Sequence, residues 1–419
     1  MKRVILSVLV LITSLTAQGE TAEFLHWWTS QGERQALAEL QAEFLEQGIE
    51  LESSPVFGGG GDTAMTVLQA RAIAGNPPEI ALVEGLGIQS WATLGFVRDL
   101  HSVVTEKNWA QRFPRMAVDI NTFQQRFVAA PLNIHRVNWL WVNKPILDRY
   151  DLTPPTTWQA FFPIAEKLKA EGIPALAIGN EPWQLSILFE SLALGLYGSD
   201  YYRELFIEFD QALAANQKTV DLFKTFRRLK PYMLVSNNAL SWEQATKQLM
   251  QQQAAMQLQG DWVKGDLTAM GYKPQVDYYC LPAPGTANTF IYNIDSLVLF
   301  RQGTDASQEM VQKLASVIVS PDFQVRFNQK KGSIPILRNV DMSSFDDCAK
   351  TAKQQFDYAE QHDSLLPSIS DSMAVAPELQ EAMLALISHY FNDDAYTEKE
   401  AIKQLLKIAA SVGFTNLDK

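Results

Sequence analysis

Short apolar runs and longer amphipathic stretches alternate along the first third of the chain. The predicted elements there are, in order, strand 24–28, helix 35–45, strand 49–55, helix 62–74 and strand 80–83. This alternation predicts a parallel sheet covered by helices. Ligands of such sheets bind beyond the carboxyl ends of the strands. Trp28, Pro55 and Glu84 stand at those ends, so we expect a binding site there.

The rest of the chain continues to mix the two kinds of element, and the predicted fold class is α/β. Further strands are predicted at 125–131, 133–143, 173–178, 255–258 and 292–300. Helices are predicted at 158–171, 183–196, within 210–230, and at 241–251, 307–318, 323–329, 377–389 and 398–412. Thr157 is typical of a helix N-cap, and Pro131 marks a candidate crossing between two lobes.

A tryptophan pair at the end of the first predicted strand is followed by a polar turn. Trp27 and Trp28 precede Thr29, Ser30 and Glu33. An indole face covers the C–H side of a pyranose ring, while hydroxyl and carboxylate groups bind its hydroxyls. The segment therefore predicts either a sugar site or two core residues at the end of a strand, and by itself it favours neither.

The length and net charge of the chain limit which classes of protein it can belong to. The chain has 419 residues, of which 47% are hydrophobic. At roughly 150 residues per domain, this length allows two lobes with large cores. The formal net charge of −12 makes nucleic acid and anionic membrane surfaces unsuitable partners.

The first 17 residues have the features of a secretory signal peptide. Lys2 and Arg3 precede an apolar run at 4–15, and small residues around Ala17 permit cleavage. The run is too short for a transmembrane helix, and no later stretch approaches 18 apolar residues. We therefore expect an exported, soluble protein, without a cysteine near the cleavage site to carry a lipid.

The cysteines and histidines predict a disulfide and no metal site. The two cysteines are Cys280 and Cys348, and such a pair in an exported protein is expected to be bridged. The five histidines are scattered and lack the spacing of metal ligands. No cofactor fingerprint is present, so no cofactor is expected.

Six stretches, spread over nearly the whole mature chain, match one family in that family's order. They lie at 26–30, 58–62, 131–141, 260–265, 292–296 and 331–335. Through them the chain resembles the extracellular solute-binding proteins of sugar ABC transporters, most closely the glucose/mannose-binding branch. The resemblance implies two α/β lobes with the ligand in the cleft between them. One lobe would comprise residues 23–131 plus about 290–340, and the other residues 132–289 plus about 341–419.

The resemblance also implies which aromatic side chains line the cleft. Trp27 and Trp28 match the family's aromatic wall, and Glu33 matches a carboxylate that accepts sugar hydroxyls. Trp262 matches an indole contributed by the opposite lobe. The alternative is that Trp262 is a core residue with no ligand contact.

Two further positions match polar groups that hold sugar hydroxyls in this family. They are Asn293 and Lys331. A buried asparagine without a partner is costly, which favours a ligand role for Asn293. Lys331 has the alternative of a solvated turn lysine. Cys280 and Cys348 resemble the bridge found in the glucose/mannose-binding branch.

The chain departs from the family at two positions, and both changes introduce a carboxylate. The family carries lysine where this chain has Glu84, and histidine where it has Asp371. An anion buried in a cleft needs donors or a counter-charge, or its pKa rises. These changes suggest a specificity shifted toward an amino-sugar or another cationic ligand. The alternative is that Glu84 and Asp371 pair with Lys331 or Lys264 while the ligand stays neutral.

The expected function is capture of a mono- or small oligosaccharide in the periplasm by a monomer that delivers it to an ABC permease. A chemosensory or regulatory sugar-binding protein, acting on a membrane sensor, is the first alternative. A glycoside hydrolase is the second, with its carboxylates drawn from Glu33, Glu84, Asp261 and Asp371. No Ser-His-Asp order or metal spacing supports an enzyme, so none is expected.

Overall fold

The structure is a computed structural model that describes residues 20–58, 61–179, 181–234, 240–301 and 308–415. The predicted signal peptide, residues 1–17, lies outside the described residues. The strands are β1 (Glu20–His26), β2 (Ile49–Pro55), β3 (Ile80–Glu84), β4 (Thr122–Phe123), β5 (Arg126–Phe127), β6 (Ala130–Pro131), β7 (Asn133–Arg136), β8 (Trp139–Asn143), β9 (Met256–Leu258), β10 (Tyr278–Pro282), β11 (Phe290–Asn293), β12 (Asp295–Leu299), β13 (Ile334–Pro335) and β14 (Leu365–Pro367).

The α-helices are α1 (Gln31–Glu46), α2 (Asp62–Ile73), α3 (Gly87–Thr93), α4 (His101–Glu106), α5 (Trp109–Arg112), α6 (Arg115–Ile120), α7 (Lys144–Arg149), α8 (Trp158–Ala170), α9 (Pro182–Phe206), α10 (Gln211–Ala214), α11 (Gln217–Arg228), α12 (Trp242–Met250), α13 (Trp262–Ala269), α14 (Gln308–Ile318), α15 (Pro321–Lys331), α16 (Asp347–Gln361), α17 (Pro377–Asn392) and α18 (Glu398–Thr415). None of the helices in the described residues is long and apolar enough to cross a membrane.

A five-stranded sheet in the order β2-β1-β3-β12-β6 forms the centre of the first lobe. β1 pairs in parallel with β2 and with β3, as the alternating strands and helices predict. β12 returns from much later in the chain and runs antiparallel to β3. Because β3 is buried along almost its whole length, its sequence is a continuous apolar run rather than an alternating one.

The second lobe is built around the antiparallel sheet β10-β8-β9 and a group of helices that includes α9, α11, α17 and α18. Helix α8 begins at the predicted N-cap, where the Thr157 hydroxyl accepts a hydrogen bond from the amide of Ala160 at 3.1 Å. The strand predicted at 173–178 is wrong. Only Leu176 forms isolated bridges there, to Met233 and Met256.

A third sheet, β13-β7-β11-β14, joins the two lobes. Two strands predicted as single elements are each divided between sheets. Residues 133–143 form β7 in this sheet and β8 in the second lobe, and residues 292–300 are divided between β11 and β12. The strand predicted at 125–131 is likewise two short strands, β5 and β6. Residues 133–143 mix polar and apolar side chains that are all buried, so no periodicity along the sequence marks where the chain leaves one sheet for another, and this break was missed.

The predicted disulfide is present, and it joins Cys280 of β10 to Cys348 of α16. Helix α16 packs on β11, β13 and β14 of the joining sheet, whereas β10 belongs to the second lobe. The bridge therefore ties the second lobe to the sheet that connects the lobes. The residue boundaries predicted for the two lobes stay a prediction.

Removing this bridge is expected to destabilise the second lobe. The cysteines are separated by 68 residues, and closing a loop of that length corresponds to about 4 kcal/mol in the chain-entropy model. The double variant Cys280→Ala, Cys348→Ala should lower the free energy of unfolding, measured with guanidinium chloride, by up to that amount. A reducing agent should shift the unfolding midpoint of the wild type and leave that of the double variant unchanged. Equal shifts in both proteins would contradict this role.

Candidate ligand-binding site

A cavity of about 390 Å³ lies where the two lobes and the joining sheet meet. That volume counts all the space between the lining atoms and includes space that is open to solvent. Its lining combines four indoles with acidic, basic and amide side chains: Trp27, Glu33, Glu84, His135, Trp183, Trp242, Trp262, Asn293, Asp295, Lys331 and Asp371. The first lobe supplies residues from the ends of β1 and β3 and from α1, β12 and α15. The second lobe supplies the first turns of α9, α12 and α13.

The structure brings seven of the eight predicted ligand-binding residues into this one cavity, and the exception is Trp28. The seven are Trp27, Glu33, Glu84, Trp262, Asn293, Lys331 and Asp371. The Trp28 side chain is 1% exposed and lies in the core against Phe24 and Phe327. The prediction that Trp28 forms part of the aromatic wall is therefore corrected. Successive side chains at the end of a strand point in opposite directions, so only one of the two neighbouring indoles faces the cavity.

Trp28 nevertheless contacts one residue of the cavity lining, Lys331, from the side of the core. The Nζ atom of Lys331 lies 4.9 Å from the centroid of its ring, within the range of a cation–π interaction. The ammonium group of Lys331 is thus held between an aromatic ring in the core and the carboxylates of the cavity.

Two of the four indoles of the lining come from opposite lobes. Trp27 lies against Gly61, where an added Cβ would come within 3.3 Å of its ring. Trp262 lies edge-on to His135 at 5.3 Å and beside Trp183 at 6.1 Å between ring centroids. An added Cβ at Gly260 would lie 2.4 Å from the Trp262 ring, so the glycine is what lets this indole fold back over the chain.

Sequence reasoning missed four residues of the lining: His135, Trp183, Trp242 and Asp295. His135 and Asp295 lie within stretches that carry the family resemblance, so those stretches contained a usable signal. Trp183 and Trp242 stand in the first turns of α9 and α12 and look like ordinary core residues of amphipathic helices. Their place in the lining depends on how the lobes face each other, which no local pattern encodes.

A chain of buried ion pairs runs from the first lobe to the second along the lining of the cavity. Lys331 Nζ lies 3.4 Å from Glu33 Oε1 and 3.5 Å from Asp295 Oδ2. Asp295 Oδ2 lies 3.0 Å from Nε2 of His135, whose Nδ1 contacts Asp261 of the second lobe. All but Glu33 are at most 3% exposed, so the pairs are shielded from water.

These pairs shift the pKa values of Asp295, His135 and Lys331 in the direction that keeps each of them charged. Burial opposes the charged form of Asp295, but Lys331 and His135 outweigh it and hold the pKa of this carboxyl below its usual range. Burial also opposes the charged form of His135, yet Asp261 and Asp295 raise its pKa to about 9. The same balance raises the pKa of Lys331, with Asp295 and Glu33 outweighing burial. His135 is therefore an imidazolium at neutral pH.

Glu33 is fixed in place by a capping box at the start of α1. Its Oε2 accepts hydrogen bonds from the amides of Thr29 and Ser30, both at 3.0 Å. The Ser30 hydroxyl in turn accepts a hydrogen bond from the Glu33 amide at 3.2 Å. This reciprocal arrangement satisfies amides at the helix N-terminus and leaves Oε1 directed toward Lys331 and the cavity.

Glu84 and Asp371 lack a cation within ion-pair distance among the described residues. Glu84 Oε1 accepts a hydrogen bond from Asn293 Nδ2 at 2.8 Å, and Asp371 Oδ2 is buried without a hydrogen-bond partner in the described residues. Burial and the charges of Asp295 and Asp371 raise the pKa of Glu84 well above its usual value. Burial and the charge of Glu190 raise the pKa of Asp371 to about 8.

The lobes approach most closely where glycines allow backbone to meet backbone. The Gly32 amide at the start of α1 donates to Asp266 Oδ1 of α13 at 2.7 Å. An added Cβ at Gly32 would lie 2.4 Å from the carbonyl carbon of Gly265, and one at Gly265 would lie 2.6 Å from the Lys330 carbonyl oxygen. The carboxylate of Asp266 also carries the charge that a helix N-terminus favours.

The described residues contain no cluster of three or more His, Cys, Asp or Glu side chains arranged to hold a metal ion. The cavity lining instead combines polar and charged side chains with indoles. That arrangement suits a ligand with hydroxyl groups around an apolar face.

Sequence comparison places the chain in a known family. The profile of the bacterial extracellular solute-binding proteins matches residues 28–325, and the chain belongs to this family. It is 33% identical over 400 residues to a probable sugar-binding periplasmic protein of Rhizobium meliloti, covering 96% of each chain. It is also 31% identical over 400 residues to an uncharacterised ABC transporter extracellular-binding protein of Pyrococcus horikoshii, covering 94% of this chain and 87% of the relative.

Solved structures support the same fold. A chitin oligosaccharide binding protein superimposes with a TM-score of 0.78 at 17% sequence identity, covering 94% of this chain and 99% of that protein. At this identity the likeness shows the two-lobed fold and not the ligand. The narrower resemblance to the glucose/mannose-binding branch remains a prediction.

Separating the lobes at Gly32 should weaken ligand binding. A methyl group at this position overlaps the backbone of α13, and such overpacking costs about 1–3 kcal/mol. Because the overlap occurs between lobes, Gly32→Ala should lower ligand affinity by roughly five- to 150-fold, as measured by calorimetry with a sugar that the wild type binds. Gly87→Ala is the matched control, since its nearest contact would be an ordinary 3.6 Å from Val83. Equal affinities for the two variants would contradict the inter-lobe role of Gly32.

The raised pKa of Asp371 predicts a specific pH dependence of stability. Below pH 4 the carboxyl is protonated in both folded and unfolded states. As pH rises toward about 8, the unfolded state releases this proton first, so the contribution of Asp371 to stability falls and is fully lost above that value. The side chain of the Asp371→Asn variant cannot ionise. The free energy of unfolding of this variant, measured without ligand, should therefore decline less between about pH 5 and 8 than that of the wild type.

The groups that act on Asp371 are Glu190 and Asp295, which raise its pKa, and His135 and Ser368, which lower it. They remain in the variant, and so does Glu84, whose raised pKa depends in part on Asp371, so the difference between variant and wild type reports Asp371 together with its effect on Glu84. Asp322→Asn, the same chemical change at an exposed position of α15, is the control. A difference that is constant with pH would contradict the assignment.

Proposed function

We propose that this protein binds a mono- or small oligosaccharide between its lobes in the periplasm and delivers it to the permease of an ABC transporter. The observation that carries the proposal is the convergence of Trp27 from the first lobe and Trp262 from the second on one cavity. Relatives named as sugar-binding periplasmic proteins support the ligand class and the compartment.

Each wall of the cavity has a part in the proposed binding. The indole faces cover the apolar side of the sugar ring, while Glu33, Asn293 and Lys331 bind its hydroxyls. The Oδ1 atom of Asn293 is buried without a hydrogen-bond partner in the described residues, and a ligand hydroxyl would supply one. An epimer that leaves such a group unpaired loses about 1–3 kcal/mol, which is the proposed source of specificity.

Lobe closure couples this binding to delivery. A ligand shifts the equilibrium between open and closed forms only through contacts that it makes better in the closed form. Trp262, Trp183 and Trp242 belong to the second lobe, so a sugar docked against Trp27 gains their contacts only when the lobes approach. The permease would recognise the closed form, and the protein would act as a monomer without catalysing a reaction.

Removing either indole should weaken sugar binding. We expect Trp27→Ala and Trp262→Ala each to lose about 1.5–3 kcal/mol, or roughly ten- to 150-fold in affinity, because each buries an aromatic surface against the ring. Calorimetry with glucose, mannose, galactose and their short oligosaccharides would measure this, and analysis of the same samples should recover every sugar uncleaved.

Trp91→Ala is the matched control for this loss. Trp91 packs on Phe96 and Phe300 in the first lobe and is outside the cavity lining, so its removal should leave affinity within twofold of the wild type. If Trp262→Ala binds as the wild type does, the second lobe does not contact the ligand. Cleaved sugar would contradict a purely binding role.

A further inference from the structure

The charges around the cavity do not balance. Its cations are Lys331 and His135, and both are committed to the buried chain of ion pairs that contains Glu33, Asp295 and Asp261. Among the described residues, no other lysine, arginine or histidine lines the cavity. Glu84 and Asp371 are therefore two further carboxyls on the same cavity wall.

These two carboxyls are brought side by side by a backbone contact. The residue after Glu84 is Gly85, and an added Cβ there would lie 2.0 Å from the carbonyl oxygen of Ser372, the residue after Asp371. The amide of Leu86 donates to that same oxygen at 2.9 Å. The chain thus fixes β3 of the first lobe against the segment after β14, with a carboxyl from each facing the cavity.

The segment that carries Asp371 is itself held rigidly by a buried carboxylate. Glu190 of α9 accepts four hydrogen bonds, at 2.6–3.0 Å, from the hydroxyls of Tyr202, Ser368 and Ser370 and from the amide of Ile369. Its negative charge also faces Asp371. Any protein cation that approached Asp371 from this side would have to displace that network. The open side of Asp371 is therefore the cavity.

We propose that the cavity selects a cationic hexose, an amino-sugar whose ammonium group binds between Glu84 and Asp371. This inference rests on the proposed sugar-binding function and names the class of sugar. An ammonium group offers three donors, which match the unpartnered Oδ2 of Asp371 and the oxygens of Glu84. Charge-assisted bonds of this kind are stronger than those to neutral hydroxyls, and the ligand would bring the missing counter-charge into the cavity.

The remaining lining requires that the cation be carried on a sugar ring rather than on a simple amine. Trp27 and Trp262 provide apolar faces, and the hydroxyl-binding groups Glu33, Asn293 and Lys331 lie on the same cavity. An aliphatic polyamine has no hydroxyl groups for these side chains to bind, and it would meet a second ammonium group, that of Lys331. A hexose with one amino group can pair its ammonium group with Glu84 and Asp371 and present its ring and hydroxyls to the rest of the lining.

The test compares sugars that differ only in one group. Binding of the full mature protein to glucose, mannose and galactose is measured by calorimetry at about pH 6, where an amine is protonated, alongside their 2-amino- and 6-amino-deoxy forms and N-acetylglucosamine. We expect one aminodeoxy sugar to bind at least tenfold more tightly than its neutral parent, in line with a hydrogen bond to a charged group. N-acetylglucosamine, which lacks the charge, should lose that gain.

Two variants assign the effect to its residues. Glu84→Gln and Asp371→Asn should each reduce amino-sugar affinity about tenfold or more and change the affinity for the neutral parent less. Glu46→Gln, which removes an exposed carboxylate at the end of α1, should alter neither. Since both cavity variants replace a buried ionisable carboxyl with a neutral amide of similar shape, they are expected to fold, and thermal unfolding without ligand checks this.

The outcomes separate this inference from the proposed function. If a neutral hexose binds as tightly as every amino-sugar, the charge selectivity is overturned while sugar binding stands. An amino-sugar preference that survives both cavity variants also overturns the assignment to Glu84 and Asp371. If no sugar of either kind binds, the proposed function itself fails, and this inference fails with it.

Discussion

A buried chain of alternating charges is the interaction on which the rest of this structure depends. Glu33, Lys331 and Asp295 begin it in the first lobe, His135 of β7 carries it through the joining sheet, and Asp261 ends it in the second lobe. Removing one member of such a chain leaves an uncompensated buried charge, which is strongly destabilising. Because its members come from different sheets, the chain also fixes how those sheets meet, and the cavity exists only where they meet.

The backbone around this chain is shaped to let the lobes come together. Gly32, Gly265 and Gly332 are placed where an added Cβ would lie within 3 Å of backbone atoms across the contact between α1, α13 and α15. The left-handed conformation of Gly332, with a φ of 95°, ends α15 directly after Lys331. The same turn therefore ends the helix, presents the lysine to the cavity and makes room for the second lobe.

Local sequence patterns predicted the first lobe well because its elements are amphipathic or uniformly apolar and are separated by polar turns. β2 was predicted at its observed bounds, and α2 to within one residue. Prediction failed where the chain moves between sheets, as at 133–143, since every residue of that stretch from 133 to 143 is buried and no periodicity marks the break. The family resemblance located seven cavity residues, but it could not decide which of two adjacent indoles faces inward. That choice depends on which side chains of β1 point to each face of the folded sheet.

The charged residues of the cavity divide into those that the fold uses and those that it does not. Lys331, His135 and Asp295 satisfy one another and connect the lobes, so their burial is compensated within the protein. The burial of Glu84 and Asp371 is not compensated in this way, and the raised pKa of each records the cost. A sequence that carried amides at both positions would keep the shape of the cavity without that cost. Carboxyls that the fold itself does not need are best explained by what enters the cavity, because a bound cation removes the penalty that the protein otherwise bears.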